Sequence, residues 1–421
     1  MFSLISDALT IVIIIMFQIF KATWWIIIPV ALLIKINKYL LVYKSIQFGK
    51  EQNWTLLEII LPPEVEKTPK AMENVLSGLH GAWKGIDFRD KWQGKSADIF
   101  SLEMAGVDGE LHFYVRCQTM QRNFVEGKIY AQYPNAEIYE VEDYTIKAVP
   151  PDIPNKDYNV WGADYILNKD WPYPILTHVD FEDPEEERRM DPLSQFAEMV
   201  SKMQEGEHMW LQLVIAPAVT EAGSKAKEAI DKEVGRGQPA SSSSGILLSI
   251  FSFFGDIVRH LGGKDLDEVS GKPAQPQQQG MRQLTPGEQE KVKKMEIKAS
   301  KALFKTTIRA VYVARNDVFY GPQIAALQGF FNQFNGGING FKPSVATSSS
   351  LIFFKDARNF LRKKKLIGAY RGRFLGVFSE PYFLNTEEIA TIYHYPGRVV
   401  KAPLMPRITS KSSEPPKDLP R

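Results

Sequence analysis

Residues 54–63 read WTLLEIILPP, and residues 97–118 read ADIFSLEMAGVDGELHFYVRCQ. The first alternates apolar and polar side chains and stops at Pro-Pro, which predicts a strand. The second is two alternating runs joined by Val107-Asp108-Gly109, and Asp-Gly between such runs is a hairpin signal. Between them, EKTPKAMENVLSGLHG at 66–81 predicts a helix, with Thr68 as N-cap, Pro69 in the first turn and Gly81 near the C-cap. MQRNFVEGKIYAQYP at 120–134 places Phe124, Ile129 and Tyr130 near helical spacing and stops at Pro134. AEIYEVEDY at 136–144 alternates again. The order over 54–144 is β-α-β-β-α-β, and the expectation is a ferredoxin-like unit within residues 49–150.

A second α+β unit is expected over 151–400, after a Pro-rich link at 149–154. Residues 173–181 and 208–216 read as strands around a helix at 191–203, with Asp191 as its cap and Pro192 in its first turn. Low-complexity stretches then follow, GRGQPASSSSG and GKPAQPQQQG, which cannot bury a core. A disordered insert is therefore expected at about 220–286. Within it, the apolar stretch 246–262 is too short to cross a bilayer, and its residues suit a helix that docks on a membrane surface, a partner groove or its own domain. The pattern resumes with a charged helix at 288–301, a strand at 303–314, a helix at 321–334 and strands around 341–354. A repeat of the first unit is compatible with this order, although no residue-level likeness between the two halves is visible. A disordered tail is expected at 401–421.

The N-terminus differs in kind. Residues 8–34 are 27 residues with one charge, Lys21. A bilayer core takes roughly 20 apolar residues in a helix, and the best-placed span runs from 23 to 43. Trp24 and Trp25 stand at one interface, Tyr39 and Tyr43 toward the other, and Pro29 is a tolerated kink. Lys35, Lys38, Lys44 and Lys50 follow the span, so residues 1–48 read as a single-pass anchor with the bulk of the chain cytoplasmic. A second membrane segment within 9–20 would need a turn of only three residues. A cleaved signal peptide is disfavoured because Asp7, and no Lys or Arg, precedes the apolar run.

Composition narrows the function classes. Lys plus Arg total 51 against 49 Asp plus Glu, a net charge of +2, which argues against coating nucleic acid along the chain. The lone Cys117 excludes an intramolecular disulfide and an all-Cys zinc site; it reads as a small buried side chain on a strand. Gly94-Lys95-Ser96 ends like a phosphate loop, but Arg89 stands where its first Gly belongs. The six histidines lack metal-binding spacing, and no Gly-x-Ser-x-Gly elbow occurs. No catalytic residue, cofactor site or metal site is assigned, and a non-enzymatic role is expected. The acidic run 180–191, net −5, reads as a solvated loop.

The most pronounced charged feature is basic. Lys355, Arg358, Arg362, Lys363, Lys364, Lys365, Arg371 and Arg373 against Asp356 give +7 over 19 residues. Such a stretch suits DNA phosphates, with Tyr370 and Phe374 available for stacking, or anionic lipid. A plain solvated face or a docking face for an acidic partner is the commoner use.

The block FSLEMAGVDGELHFYVRCQTMQRNFVEGKIYAQYPNAEIYEVEDY and the closing block FLNTEEIATIYHYPGRVVKAPLMPR resemble the region that precedes the motor core in conjugation and type IV secretion ATPases. The likeness is strongest to membrane-anchored, Patescibacteria-type versions and covers most of residues 50–407. In that family a segment like residues 385–396 leads into a HerA/FtsK-class ATP-binding core, whereas this sequence ends at Arg421 without a Walker A loop. The resemblance therefore implies the fold and a place at the bacterial cytoplasmic (inner) membrane in a transfer apparatus, and it implies no ATP hydrolysis. The expected partners are the membrane, a separately encoded motor ATPase seated through 355–395, and other secretion-system subunits. DNA and an oligomer are further possibilities. The alternative is a membrane-tethered nucleic-acid-binding protein using 355–373.

Overall fold

Asp108 and Gly109 both take positive φ, 50° and 89°, the pair of left-handed residues that a two-residue type I′ turn requires. They join β2 (Phe100–Val107) to β3 (Glu110–Gln118). The computed structural model describes residues 51–62, 68–81, 88–181 except 94, 96 and 97, 191–218, 222–234, 284–347 and 354–396 except 377, with single residues and short runs between 18 and 49. Most of the insert with its segment 246–262, most of the acidic run, and the tail lie outside these residues; residues 222–234, expected to belong to the disordered insert, are instead helical.

The first half follows its sequence pattern closely. β1 (Trp54–Ile60) leads to α1 (Pro69–His80), and α2 (Arg122–Gln132) leads to the short β4 (Glu137–Glu140). Thr68 stands at the N-cap of α1 in an extended conformation, although its hydroxyl makes no capping bond.

The second half departs further. The strand expected at 173–181 is absent; that stretch holds only a short helix, His178–Phe181. The strand lies earlier, as β5 (Tyr158–Leu167). Gly162 and Asp164 interrupt its sequence pattern, but it pairs on one side with residues 308–315 and on the other with 341–346, which makes it an interior strand. α3 (Ser194–Ser201), β6 (Glu207–Ala218), α4 (Ala222–Val234), α5 (Pro286–Ser300), β7 (Leu303–Arg315), α6 (Pro322–Asn332) and β8 (Phe341–Ala346) follow. Asp191 is not the helix cap, which falls at Leu193; its carboxylate instead accepts from Leu193 N, 2.8 Å. α5 begins two residues before its predicted start, at a capping box of Thr285 and Glu288. The chain then forms α7 (Lys355–Gly372), β9 (Tyr382–Asn385) and α8 (Thr386–Ile392).

Among the described residues all the strands belong to one antiparallel sheet, so the chain is a mixed α+β protein. The order is β4-β1-β3-β2-β6-β7-β5-β8, with β9 on β7 beyond the end of β5. Numbering strands 1–4 within each half, the order reads 4-1-3-2 and then 2-3-1-4. The second half repeats the topology of the first, turned about the β2–β6 seam, where Phe100 to Val107 pair with Ile215 to His208. A helix lies between strands 1 and 2 and between strands 3 and 4 of each half. The halves differ at one connection: two residues join β2 to β3, whereas residues 219–302 join β6 to β7.

The edges are blunted. β4 is four residues long with two glutamates, and β8 carries Pro343 and an exposed Lys342. One sheet face packs Leu102, Phe113, Leu213 and Ile308 against α1, α2, α3, α6 and α8. The other packs Tyr114, Trp210, Val311 and Val313 against Tyr144 and the Leu366, Ile367 and Tyr370 side of α7.

The described residues between 18 and 49 are helical. Trp24, Trp25, Tyr39 and Tyr43 are exposed, as are Ile28, Leu32 and Leu33, and Pro29 lies in the helix. Among the described residues, no helix is long and apolar enough to cross a membrane. This helical segment joins the sheet where Trp54 Nε1 donates to Gly49 O (3.0 Å) and Lys44 Nζ donates to Trp92 O (2.9 Å).

Candidate functional site

Four apolar strands each carry a polar residue at midspan: Glu103 in β2, Gln212 in β6, Arg309 in β7 and Asp164 in β5. The register sets these four side by side, Glu103 opposite Gln212, Gln212 opposite Arg309, and Arg309 opposite Asp164. Side chains at paired positions share a face, so a polar row crosses the seam under α7. All four are fully buried.

Burying charge is costly unless it is paired and hydrogen-bonded, and α7 supplies the partners. Arg373, just past its C-terminus, donates Nε and Nη2 to the two Glu103 oxygens at 3.0 and 3.1 Å and also grips Asp143. Glu103 further accepts from Ser101 Oγ (2.5 Å), Tyr144 OH (2.9 Å) and Gln212 Nε2 (3.0 Å). Gln212 Nε2 also donates to Tyr370 O, 3.0 Å, while the Tyr144 and Tyr370 hydroxyls meet at 2.7 Å. At the far end, Arg309 Nε donates to Asp164 Oδ1 (3.1 Å) and Ser379 Oγ to Asp164 Oδ2 (3.2 Å).

The two ends of the row differ electrostatically. Burial alone would raise the Glu103 and Asp143 carboxyls, but the Arg373 guanidinium overcomes it and holds both below their ordinary values. At Asp164 burial prevails over Arg309 and the carboxyl is raised; burial likewise lowers Arg309, whose Nη2 is buried with no partner. With α7 over it, this row offers no open face to a substrate. Its geometry is that of a clamp that joins the two halves.

The basic stretch is thereby divided. Arg373 belongs to the clamp. Arg371 donates to the Pro150, Pro151 and Thr145 carbonyls, which fixes the link between the halves. Lys363 Nζ donates to Asn159 Oδ1, 2.6 Å. Lys365 lies over the Phe378 ring, 4.8 Å from its centroid. Lys355 and Lys364 are exposed, and Arg358 and Arg362 are half-buried. Tyr370 is wholly buried and so does not serve for base stacking, whereas Phe374 is exposed.

Residues 382–395, expected to help seat a motor, are core. Every residue of α8 is buried, as are Tyr393, His394 and Tyr395. The fully buried pair Lys298–Glu388, 3.0 Å, pins α5 to α8. Deleting 355–395 would remove β9, α8 and the clamp together, so that deletion tests folding rather than recruitment.

Elsewhere, a cleft of about 640 Å³ lies between α3 and α6, lined by Glu198, Met199, Lys202, Phe319 and Gln323. In the first half Gly78 of α1 lets Lys128 of α2 lie close. Cys117 is buried and its thiol is pushed up to about 12 by that burial. Among the described residues no group of three or more His, Cys, Asp or Glu is placed to hold a metal ion.

The fold and clamp define an α+β protein of two topologically repeated halves on one antiparallel sheet. Residues 43–340 match the model of a domain family of unknown function, DUF8128, and the chain belongs to that family. No curated protein matches it.

Proposed function

We propose that this chain is a non-enzymatic, membrane-tethered scaffold of a type IV secretion or conjugation-like transfer apparatus, built from two ferredoxin-like halves and seating a separate motor ATPase. The observation that carries the reading is the contrast between the two parts of the chain. In the sheet body the large apolar side chains are mostly buried, whereas Trp24, Trp25, Leu32, Leu33, Tyr39 and Tyr43 before it are exposed along helical residues. Exposed apolar side chains in such a run call for a cover, and a bilayer provides one with aromatic belts at both interfaces. The Lys35, Lys38 and Lys44 flank supports a cytoplasmic body. The 4-1-3-2 order in each half supports the ferredoxin-like assignment. The resemblance of the two sequence blocks to motor-flanking regions supports the apparatus.

Fractionation tests the anchor. The full chain should pellet with membranes, resist carbonate and release in detergent, while residues 49–421 should stay in the supernatant. A full chain that washes off with salt overturns the anchor. For the apparatus, detergent extracts of the full chain should contain a Walker-type ATPase; extracts without one overturn that part of the reading. The nucleic-acid alternative loses Lys363, Arg371 and Arg373 to internal bonds, which leaves it fewer phosphate contacts than the sequence promised.

A further inference from the structure

α7 has two faces. Lys363, Leu366, Ile367 and Tyr370 turn toward the sheet. At four- and seven-residue steps on the other side stand Ala357, Leu361 and Gly368, all exposed, a spacing that forms one helical stripe; Phe354, also exposed, precedes the first turn in a left-handed conformation. Phe354 is 82% and Leu361 63% exposed, and Phe360 beside them 47%. Lys355, Lys364 and Lys365 flank these apolar groups and are exposed as well, with Asp356 the one exposed acid among them. We propose that this outward stripe of α7 is a docking surface for a partner protein presenting an apolar groove rimmed by carboxylates. The proposal rests on the scaffold reading and names the chemistry of the seat.

Three observations choose the occupant. The stripe is apolar along its middle and cationic along its flanks, which matches a helix-in-groove contact with an acidic rim. A phosphate backbone would neutralise the lysines but leave Phe354 and Leu361 in water. A lipid surface suits the chemistry but not the placement. The N-terminal segment joins the sheet at Trp54, the end where Phe100, Ala218, Leu303 and Leu167 also lie. Lys363 contacts Asn159 at the opposite end, where β5 begins and β7 finishes. β7 has 13 residues, so these ends stand about 40 Å apart at roughly 3.3 Å per residue. The first turns of α7 therefore lie away from the anchor. α7 is also firmly mounted, by the clamp at Arg373 and by Leu366 against Gly162, and a rigid mount lowers the ordering cost of binding.

The test uses the full chain in its own cells, with the photo-crosslinker benzoylphenylalanine placed singly at 357, 361 or, as control, the exposed Tyr139 on β4. Adducts at 357 and 361 should be to the same protein and absent at 139. The cross-linked partner peptide should contain Asp or Glu, and Lys355→Glu with Lys364→Glu should cut the yield about tenfold or more while leaving the melting temperature in place. Adducts to lipid or nucleic acid, different proteins at 357 and 361, a yield indifferent to charge reversal, or no adduct would each overturn the proposal. Membrane fractionation of the same cells separates this outcome from the anchor. A pelleted chain without adducts removes the docking surface only, and a soluble chain with the expected adducts removes the anchor only.

Discussion

Arg373 leaves α7 in a left-handed conformation, φ 50°, a strained choice for a residue with a long side chain. That turn aims its guanidinium at Glu103 and Asp143, two carboxylates that would otherwise be buried without a cation. Arg373→Met should cost about 3–5 kcal/mol in denaturant unfolding, because it leaves Glu103 buried and unpaired. Glu103→Met added to it should recover part of that loss, and a double variant weaker than the single would contradict the account. Asp143 is held below its ordinary value by Arg373, so the unfolded chain binds its proton more readily. Its contribution is complete above the ordinary carboxylate range, about 4, and is lost as pH falls through the lower folded value. Asp164 is raised by burial, so acid relieves a cost there. The melting temperature between pH 5 and 3 should therefore fall less steeply in Asp143→Asn than in the unaltered protein, and more steeply in Asp164→Asn. Equal slopes in all three proteins would remove the electrostatic reading.

At the scale of elements, the docking of α7 depends on a glycine in a strand. A Cβ at Gly162 would lie 2.5 Å from Leu366 Cδ2 and 2.8 Å from Ala310 O, and the second of these is sheet backbone that does not yield. Gly162→Ala should cost about 1–3 kcal/mol through overpacking. It should also make the Lys and Arg sites of 355–365 cleave faster in brief trypsin treatment than in the unaltered protein. Unchanged cleavage would mean that α7 is held without this contact. Gly162 and Asp164 are also what hid β5 from sequence reading, since a glycine and a carboxylate at midspan look like an interruption. The clamp had a visible trace of the same kind: FSLEMAGV, HMWLQLVIA, TTIRAVYVA and VWGADYIL each hold one Asp, Glu, Arg or Gln side chain within an apolar run. One such residue is unremarkable. Four in neighbouring strands become a signal only once the strand order is known.

At the scale of the molecule, the two repeated halves tolerate very different connections at the same topological position. β6 and β7 pair over twelve residue positions, and α4 meets α5 through Glu233 and Lys291 at 2.7 Å. The ends of the insert are thus brought together by the body itself. Replacing residues 236–283 by about six Gly/Ser residues should leave the melting temperature within a few degrees, because loop-closure entropy changes slowly with length. A loss of cooperative unfolding would show that the insert belongs to the core.

The sequence alone determined the local elements of the first half, the Asp-Gly hairpin, most helices, the apolar N-terminus and the concentration of basic residues at 355–373. Each is encoded by neighbours in the chain, through periodicity, turn chemistry and charge. Only the tertiary structure decided that both halves share one sheet, that the second inverts the first about the β2–β6 seam, and that 382–395 is core. It also split the basic stretch into clamp residues and an exposed stripe. These depend on strand pairing and burial between residues far apart in sequence, such as Glu103 and Arg373, and a charged side chain reads the same in sequence whether it meets water or a buried counter-charge.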